Sequence, residues 1–238
     1  MTSLNEPKRT FGHSHLSVDC VVLGFDGDNI RVLLLKRNDF ELHDMKLPGD
    51  IIYADETLDE AAHRVIRDYT GMKDLEMVQF QTFSSIDRID DPRDVCWLES
   101  YLQEKVTRVV TAAYFSIMRI SKFAAYKNQE FVWMPVDELP QLAFDHNLII
   151  ESALDYFAKI ATLDNDCFFH LLPRKFTILQ LRKLYERVFQ TKIDPGNFYK
   201  KVAQMPHVIP LDEKEQGQRH RSARYFKYDK KATRSSNL

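Results

Sequence analysis

The sequence predicts an α+β protein built from two units, the first mixed and the second mainly helical. Stretches rich in β-branched residues alternate with helical patterns over the first two-thirds of the 238 residues. Two amphipathic helices and a hairpin then follow. Residues 172–238 hold 16 Lys plus Arg against 6 Asp plus Glu, so the net charge of −2 hides a basic unit behind an acidic one. We expect the units to span residues 1–163 and 164–238.

The first unit is predicted to contain five strands and two helices. The pair "HLSVDCVVLGF" and "IRVLLLKRN" surrounds the turn "DGDN" and predicts a hairpin. Further strands are predicted at "MVQFQTFSSI", "RVVTAAYFSIMRI" and "EFVWMPV". "DETLDEAAHRVIRDYTG" predicts a helix with a Thr57/Glu60 capping box and a Gly71 cap. A second helix is expected over residues 145–162, with "DRIDDPRDV" as a polar loop earlier in the chain.

The last third has the plan of a winged helix-turn-helix. "TILQLRKLYERVF" follows the cap residue Thr177 and carries one apolar stripe, formed by Leu181, Leu184, Tyr185 and Val188. "DPGNFYKKVAQM" begins with Asp194 as a cap and proline at the first helical position. "HVIPL" and "RYFKYD" then predict a hairpin around a long polar segment. The final "KKATRSSNL" is expected to be disordered.

Composition excludes several classes of protein. The sequence has no run of 18 apolar residues, so no membrane span is expected. The segment "MTSLNEPKRTFGHSHLS" lacks the apolar core of a signal peptide. The three cysteines are far apart in sequence, which is typical of reduced thiols in a cytoplasm. We therefore expect a cytoplasmic protein that makes no membrane contact and needs no cofactor.

The helix at residues 57–71 lacks the carboxylates that a metal-dependent hydrolase needs. Such a site brings several carboxylate oxygens onto a hard cation from one helix face. Here the positions with that spacing are Val65, Asp68 and Tyr69. Val65 and Tyr69 lie near the centre of the apolar face, so they predict packing rather than coordination.

"LPGDIIYADETLDEAAHRVIRDYTGM" resembles a degenerate Nudix box. Gly49, Glu56, Arg64 and Gly71 match the family pattern, whereas Asp50 replaces its second glycine. Val65 replaces one glutamate, and Asp68 and Tyr69 replace the glutamate pair. The resemblance implies a Nudix-like mixed-sheet α/β/α sandwich over residues 13–162. With "LAFDH", "LLPRKFT" and the basic C-terminal unit, it extends to the Nudix-related transcription regulators, which include repressors that sense ADP-ribose or arabinose.

The leading hypothesis is a ligand-responsive DNA-binding repressor with a catalytically inactive Nudix-like sensor. Its partners would be an operator duplex, a second copy of the chain, and a sugar or nucleotide-sugar effector, with a weak preference for a sugar. Residues predicted to contact DNA are Lys175, Asn197, Lys200, Lys201, Gln204, Arg219, His220, Arg221 and Arg224. Each of the lysines is also explained as a solubilising residue.

The residues predicted to bind the effector lie in the polar loop and at two later positions. They are Asp87, Arg88, Arg93, Asp94, Trp133 and His146. Arg88 and Arg93 would hold a phosphate if the effector has one. Trp133 is better explained as a core residue, and His146 is also explained as the residue that caps the helix it begins. No catalytic residue and no metal ligand are predicted.

The alternative hypothesis is a hydrolase of a nucleoside diphosphate derivative with an altered metal site. Glu56 and Asp68, helped by Glu60, would then hold one Mg²⁺.

Overall fold

The computed structural model describes residues 15–39, 42–120, 131–215 and 222–235. Within them, the first unit is built on a seven-stranded sheet in the order β3-β2-β1-β6-β5, with β4 paired to β1 and β7 paired to β2. The strands are β1 His15–Phe25, β2 Ile30–Asp39, β3 Leu42–Lys46, β4 Gly49–Ile51, β5 Val78–Phe83, β6 Val109–Ile117 and β7 Phe131–Pro135. β1 and β6 are parallel, and the other pairs are antiparallel.

The strand pattern explains why helices cover both faces of this sheet. Successive side chains of a strand point to opposite faces. In β1, Val18, Cys20 and Val22 therefore join the core beneath α1 (Leu58–Thr70), whereas Val21 and Leu23 join the core beneath α3 (His146–Leu163). The predicted mixed-sheet sandwich is thus confirmed.

Local sequence signals fix the ends of the elements around the site. The Asp26 carboxylate accepts hydrogen bonds from the backbone N–H groups of Asp28 and Asn29, which closes the β1–β2 turn. α1 begins with the predicted Thr57/Glu60 capping box and ends at Gly71, whose φ of 76° favours glycine. A Cβ on Gly49 would lie 2.8 Å from the Val18 carbonyl oxygen, so β4 can approach β1 only because residue 49 is glycine.

The C-terminal unit has the predicted winged helix-turn-helix plan. Its elements are α4 Phe168–Leu171, β8 Phe176–Thr177, α5 Ile178–Val188, α6 Pro195–Ala203, β9 Val208–Lys214 and β10 Arg224–Tyr228. Thr177 and Asp194 cap α5 and α6 through their side chains, as predicted. The predicted stripe of α5 is buried. β8, β10 and β9 form a three-stranded sheet.

The two units share one apolar core and several polar contacts. A single cluster of buried side chains contains both Val21 of β1 and Phe226 of β10. Arg187 of α5 donates to Asp137 at 2.7 Å and to Asn29 at 2.6 Å, and Lys183 pairs with Asp28. The division at residues 163 and 164 thus remains a prediction about sequence, since packing is continuous across it.

Four sequence expectations need correction. In the described residues the first unit has seven strands rather than five, because the short strands β3 and β4 were not predicted. The polar loop predicted at "DRIDDPRDV" runs into a helix that was not predicted. This helix is α2, Pro92–Leu102, and it is capped by Asp91. The helical spacing of Leu148, Ile149, Ala153, Tyr156 and Ile160 predicts the apolar side of α3. Leu148 is instead half exposed, while Ile150, Phe157 and Ala161 are buried. The C-terminal segment expected to be disordered forms α7, Lys230–Ser235, up to the end of the described residues.

Candidate ligand pocket and nucleic-acid interface

A cavity of about 70 Å³ lies where β1, β4, α1, α2 and the start of α3 meet. Charged, aromatic and aliphatic side chains share its wall. The lining residues are Ser17, Asp19, Lys46, Gly49, Asp50, Ile51, Tyr69, Arg88, Ile89, Trp97, Leu98, Tyr101, Val109, Phe144 and His146. Pockets of this kind, with a few polar groups among apolar ones, are typical of small-molecule sites.

The floor of the pocket is a buried ionic network. The Arg88 guanidinium donates to Asp145 at 2.8 and 3.1 Å and to Asp19 at 3.2 Å. The Leu47 N–H donates to Nδ1 of His146 at 3.0 Å, and Nε2 of the same ring faces Asp19 at 3.4 Å. Each buried charge thus has a partner, as burial in an apolar interior requires.

Asp19 is the carboxylate at the centre of this network. Its complete burial works to raise the pKa, but the neighbouring His146 and Arg88 outweigh that effect and hold the pKa well below its usual range. The same carboxylates raise the pKa of Arg88 against the effect of burial. The floor is therefore ionised at neutral pH and gives the pocket fixed charges.

Aromatic rings form the opposite wall. Trp97 and Tyr101 lie one turn apart on α2 and stack with their ring planes parallel, 5.5 Å between centroids. The Lys46 ammonium lies 5.5 Å from the Trp97 ring and 5.6 Å from the Tyr69 ring. The Tyr101 hydroxyl, half exposed with its ring, donates to Asp50 at 3.1 Å. Two stacked rings and an ammonium thus line this side of the pocket, and the Lys46 ammonium also donates to the Gly49 carbonyl oxygen at 3.1 Å.

The residues at the Nudix box positions do not fit a divalent metal. Both oxygens of Glu56 accept from Arg64, which also pairs with Asp50 at 2.8 Å. Val65 is fully buried, and Asp68 is exposed beside Arg67. Within the described parts of the chain, no three His, Cys, Asp or Glu side chains converge in a way that could hold a metal ion. In the described residues, the carboxylates that a Mg²⁺ site needs are therefore not gathered at these positions.

Of the six residues predicted to bind the effector, two line the pocket: Arg88 and His146. Asp87 is exposed and accepts a hydrogen bond from Ser85, and Arg93 is exposed and pairs with Asp91. Asp94 is buried and accepts from Arg37 and from the Phe144 N–H. Trp133 packs against the core beneath α1. These four residues lie outside the pocket lining.

Sequence reasoning missed Lys46, Trp97 and Tyr101. Trp97 and Tyr101 are four residues apart, a spacing that places them on one face of a helix. The Asp91–Pro92 pair is an N-terminal helix signal that would have revealed this helix. Lys46 ends β3, which was not predicted, so its position carried no recognisable signal.

The predicted DNA-contacting residues fall into three groups. On α6, Phe198 and Val202 are buried, whereas Asn197, Lys200, Lys201 and Gln204 are exposed. Lys175 pairs with Glu213 and Arg224 pairs with Asp212. Arg219, His220 and Arg221 lie outside the described residues. The structure therefore places four of the candidates together along one exposed helix surface.

A mixed-sheet sandwich with a glycine-bordered pocket, joined to a winged helix, defines the class of protein. The NUDIX domain model matches residues 13–154, and the model of the NrtR DNA-binding winged helix domain matches residues 168–228. The chain therefore belongs to the Nudix family and carries an NrtR-type winged helix domain.

Solved structures with a similar fold include two that span nearly the whole chain. NrtR of Shewanella oneidensis, crystallised with a 27mer DNA, is 24% identical over 92% of this chain and 95% of its own, with a TM-score of 0.66. A MutT/nudix family protein from Enterococcus faecalis is 20% identical over 94% of this chain and 90% of its own, with a TM-score of 0.60. No curated protein matches the sequence significantly. No helix in the described part of the chain is long and apolar enough to span a membrane.

Proposed function

We propose that this protein is a ligand-responsive transcriptional repressor whose Nudix-fold pocket binds an effector without hydrolysing it. One observation carries the proposal: α3 begins in the pocket wall and packs, further along, against the DNA-binding unit. Asp145 and His146 at its start hold Arg88 and Asp19. Farther along α3, Phe157 begins a contact series that leads out of the first unit.

That series consists of four aromatic rings. The ring centroids of Phe157 and Phe168 are 6.0 Å apart, and Phe168 stacks on Tyr185 of α5 with 4.1 Å between centroids. The centroids of Tyr185 and Phe198 of α6 are 5.3 Å apart. All four side chains are buried in the shared core. Close-packed interiors transmit displacements rather than absorb them. A shift at the start of α3 thus has a packed route to the helix proposed to enter the DNA groove.

The lining of the pocket supports a nucleotide-sugar effector such as ADP-ribose over a neutral sugar such as arabinose. The stacked Trp97 and Tyr101 rings suit a planar base. Lys46 places a cation beside them for an anionic group. The sequence alone favoured a sugar, because the metal glutamates are missing. A pocket that contacts a diphosphate through cations does not need those glutamates.

On the DNA side, we propose that α6 lies in the major groove with Asn197, Lys200 and Gln204 towards the bases. The ammonium of Lys201 lies 5.1 Å from the centroid of the Tyr185 ring. From this side of α6, Lys201 would contact the DNA phosphate backbone. The protein similar in fold from S. oneidensis was crystallised with DNA, which supports this role. A homodimer would place two such helices on a palindrome.

Two measurements on the purified full chain test the proposal. First, a random-sequence duplex library is selected by the protein at low salt, and an enriched palindrome is expected. Failure to retain any duplex refutes DNA binding. Second, melting temperature is measured with ADP-ribose, arabinose and pentose phosphates, and the largest rise is expected with ADP-ribose. No rise with any of them refutes the sensor role.

A further inference from the structure

Acidic side chains of the wing engage two of the cations predicted to contact DNA. Glu213 accepts from the Lys175 ammonium at 2.6 and 2.8 Å. Asp212 accepts from Arg224 at 3.0 Å, and Arg224 also donates to the Leu211 carbonyl oxygen at 2.7 Å. Both carboxylates belong to β9, so one strand holds both cations.

This acidity is concentrated in an otherwise basic unit. Of the six Asp and Glu residues in positions 172–238, three lie within four consecutive positions, at Asp212, Glu213 and Glu215. The other three are Glu186, Asp194 and Asp229. Asp194 caps α6, and Glu186 pairs with Arg182 within α5. Those two carboxylates thus have a structural use inside the helical part of the unit.

The wing pairs contribute little to folding. Lys175 and Glu213 are 53% and 56% exposed, and Arg224 is 50% exposed beside a fully exposed Asp212. Ion pairs in water between such mobile side chains gain little free energy. Stability therefore gives no reason for two carboxylates at a surface that would otherwise attract a polyanion.

The position of Lys175 gives them a different effect. Lys175 lies two residues before Thr177, the N-cap of α5, and helix N-termini favour phosphate groups. Arg224 begins β10, directly opposite Lys214 of β9. Both cations are thus next to elements that a winged helix presents to the DNA backbone.

We propose that Asp212 and Glu213 withhold Arg224 and Lys175 from DNA phosphates and so set a low strength of sequence-independent binding. The inference rests on the proposed DNA-binding function. Phosphate contacts carry no sequence information, so the two carboxylates weaken binding to every duplex by the same factor. The choice of sequence stays with the exposed surface of α6.

The test compares Glu213→Gln and Asp212→Asn with the wild type, using a fluorescent random-sequence 30-base-pair duplex and a duplex selected by the protein. Each phosphate contact changes the salt slope of log K by about 0.9. One released cation should therefore tighten binding by up to about fivefold, the most that an exposed ion pair is worth, and steepen the slope by up to about 0.9. The ratio of the two affinities should not change.

Glu151→Gln on α3 is the matched control, because it removes the same charge from an exposed site in the first unit. Lys175→Gln should change little alone but should abolish the gain of Glu213→Gln when the two are combined. Weaker binding by Glu213→Gln, or a gain no larger than that of Glu151→Gln, would overturn the inference while leaving DNA binding intact. If neither the wild type nor the variants bind either duplex, the proposed function itself fails.

Discussion

At the scale of single residues, the positions at which this chain departs from the Nudix family pattern are occupied by packing and pairing side chains. Val65 is buried in the core beneath α1, and the ring of Tyr69 lies under the Lys46 ammonium. Arg64 keeps its partner Glu56 and gains a second one in Asp50, the residue that replaces a family glycine. Tyr69 stands at a position where the family pattern has a metal-binding glutamate, and the cation that faces this position is the Lys46 ammonium.

The first prediction concerns Asp19, whose replacement should destabilise the fold. In Asp19→Asn, Arg88 and His146 lose a buried charged partner, which should lower the free energy of unfolding by about 3–5 kcal/mol at pH 7. Urea unfolding measures this difference. Asp87→Asn, at an exposed carboxylate of the neighbouring loop, is the control and should change stability by less than about 0.5 kcal/mol.

The same pair of proteins gives a pH dependence with a definite sign. The folded pKa of Asp19 is depressed below the unfolded value of about 3.9. Its stabilisation is therefore complete above about pH 4 and is lost as pH falls through the folded pKa. The difference between the wild type and Asp19→Asn should stay constant from pH 7 to 5 and shrink below about pH 4. A constant difference down to pH 3 would contradict this assignment.

At the scale of elements, α2 is the part of the site on which the proposed preference for a nucleotide over a sugar rests. It contributes Trp97, Leu98 and Tyr101 to the wall, and Asp50 holds Tyr101 by a hydrogen bond. The helix was not predicted, because its polar beginning has the composition of a loop. Its N-cap and proline are local signals, but only the fold shows that its aromatic face meets Lys46.

The second prediction tests the aromatic wall. Trp97→Ala should weaken ADP-ribose binding, measured by calorimetry, by about 5- to 150-fold, since a stacked base is worth about 1–3 kcal/mol. The affinity for arabinose, which has no base to stack on the ring, should not depend on Trp97. Tyr199→Ala removes an exposed ring on α6, away from the pocket, and should leave ADP-ribose affinity unchanged. Equal losses in the two variants would argue against stacking at α2.

At the scale of the whole molecule, the two units behave as one packed body. Phe168 lies between Phe157 of the first unit and Tyr185 of the second. The polar contacts of Lys183 and Arg187 with the first unit add orientation rather than stability, because they are exposed. The coupling that we propose between the pocket and DNA would thus pass through the aromatic core.

The third prediction follows from that shared core. Phe168→Ala should cost about 3–5 kcal/mol and lower the melting of both units together, seen as a single shifted calorimetric transition. Asp137→Asn, which removes a partner of Arg187, should cost about 0–1 kcal/mol. Two separate transitions in the wild type, with only one moved by Phe168→Ala, would show that the units fold independently.

Sequence patterns predicted the fold class and most elements because those depend on local periodicity and caps. The α1 capping box, the Asp194 cap and the buried stripe of α5 are all encoded within a few residues. The pocket was harder, because its floor joins Asp19, Arg88 and His146, which are far apart in the chain. Arg88 and His146 were identified among the candidates, whereas Lys46 and the α2 rings meet only through tertiary packing. The assignment of these residues to an effector remains a prediction.

The proposed function requires that a ligand in the Nudix-fold pocket changes DNA affinity without being consumed. The most direct test measures the Kd of the full chain for its selected duplex, with and without saturating ADP-ribose, and then analyses the nucleotide after incubation with Mg²⁺. We expect a change in Kd of about 5- to 150-fold, typical of coupled sites, and intact ADP-ribose. An unchanged Kd, or conversion of ADP-ribose to AMP that is lost in Glu56→Gln, would contradict the account.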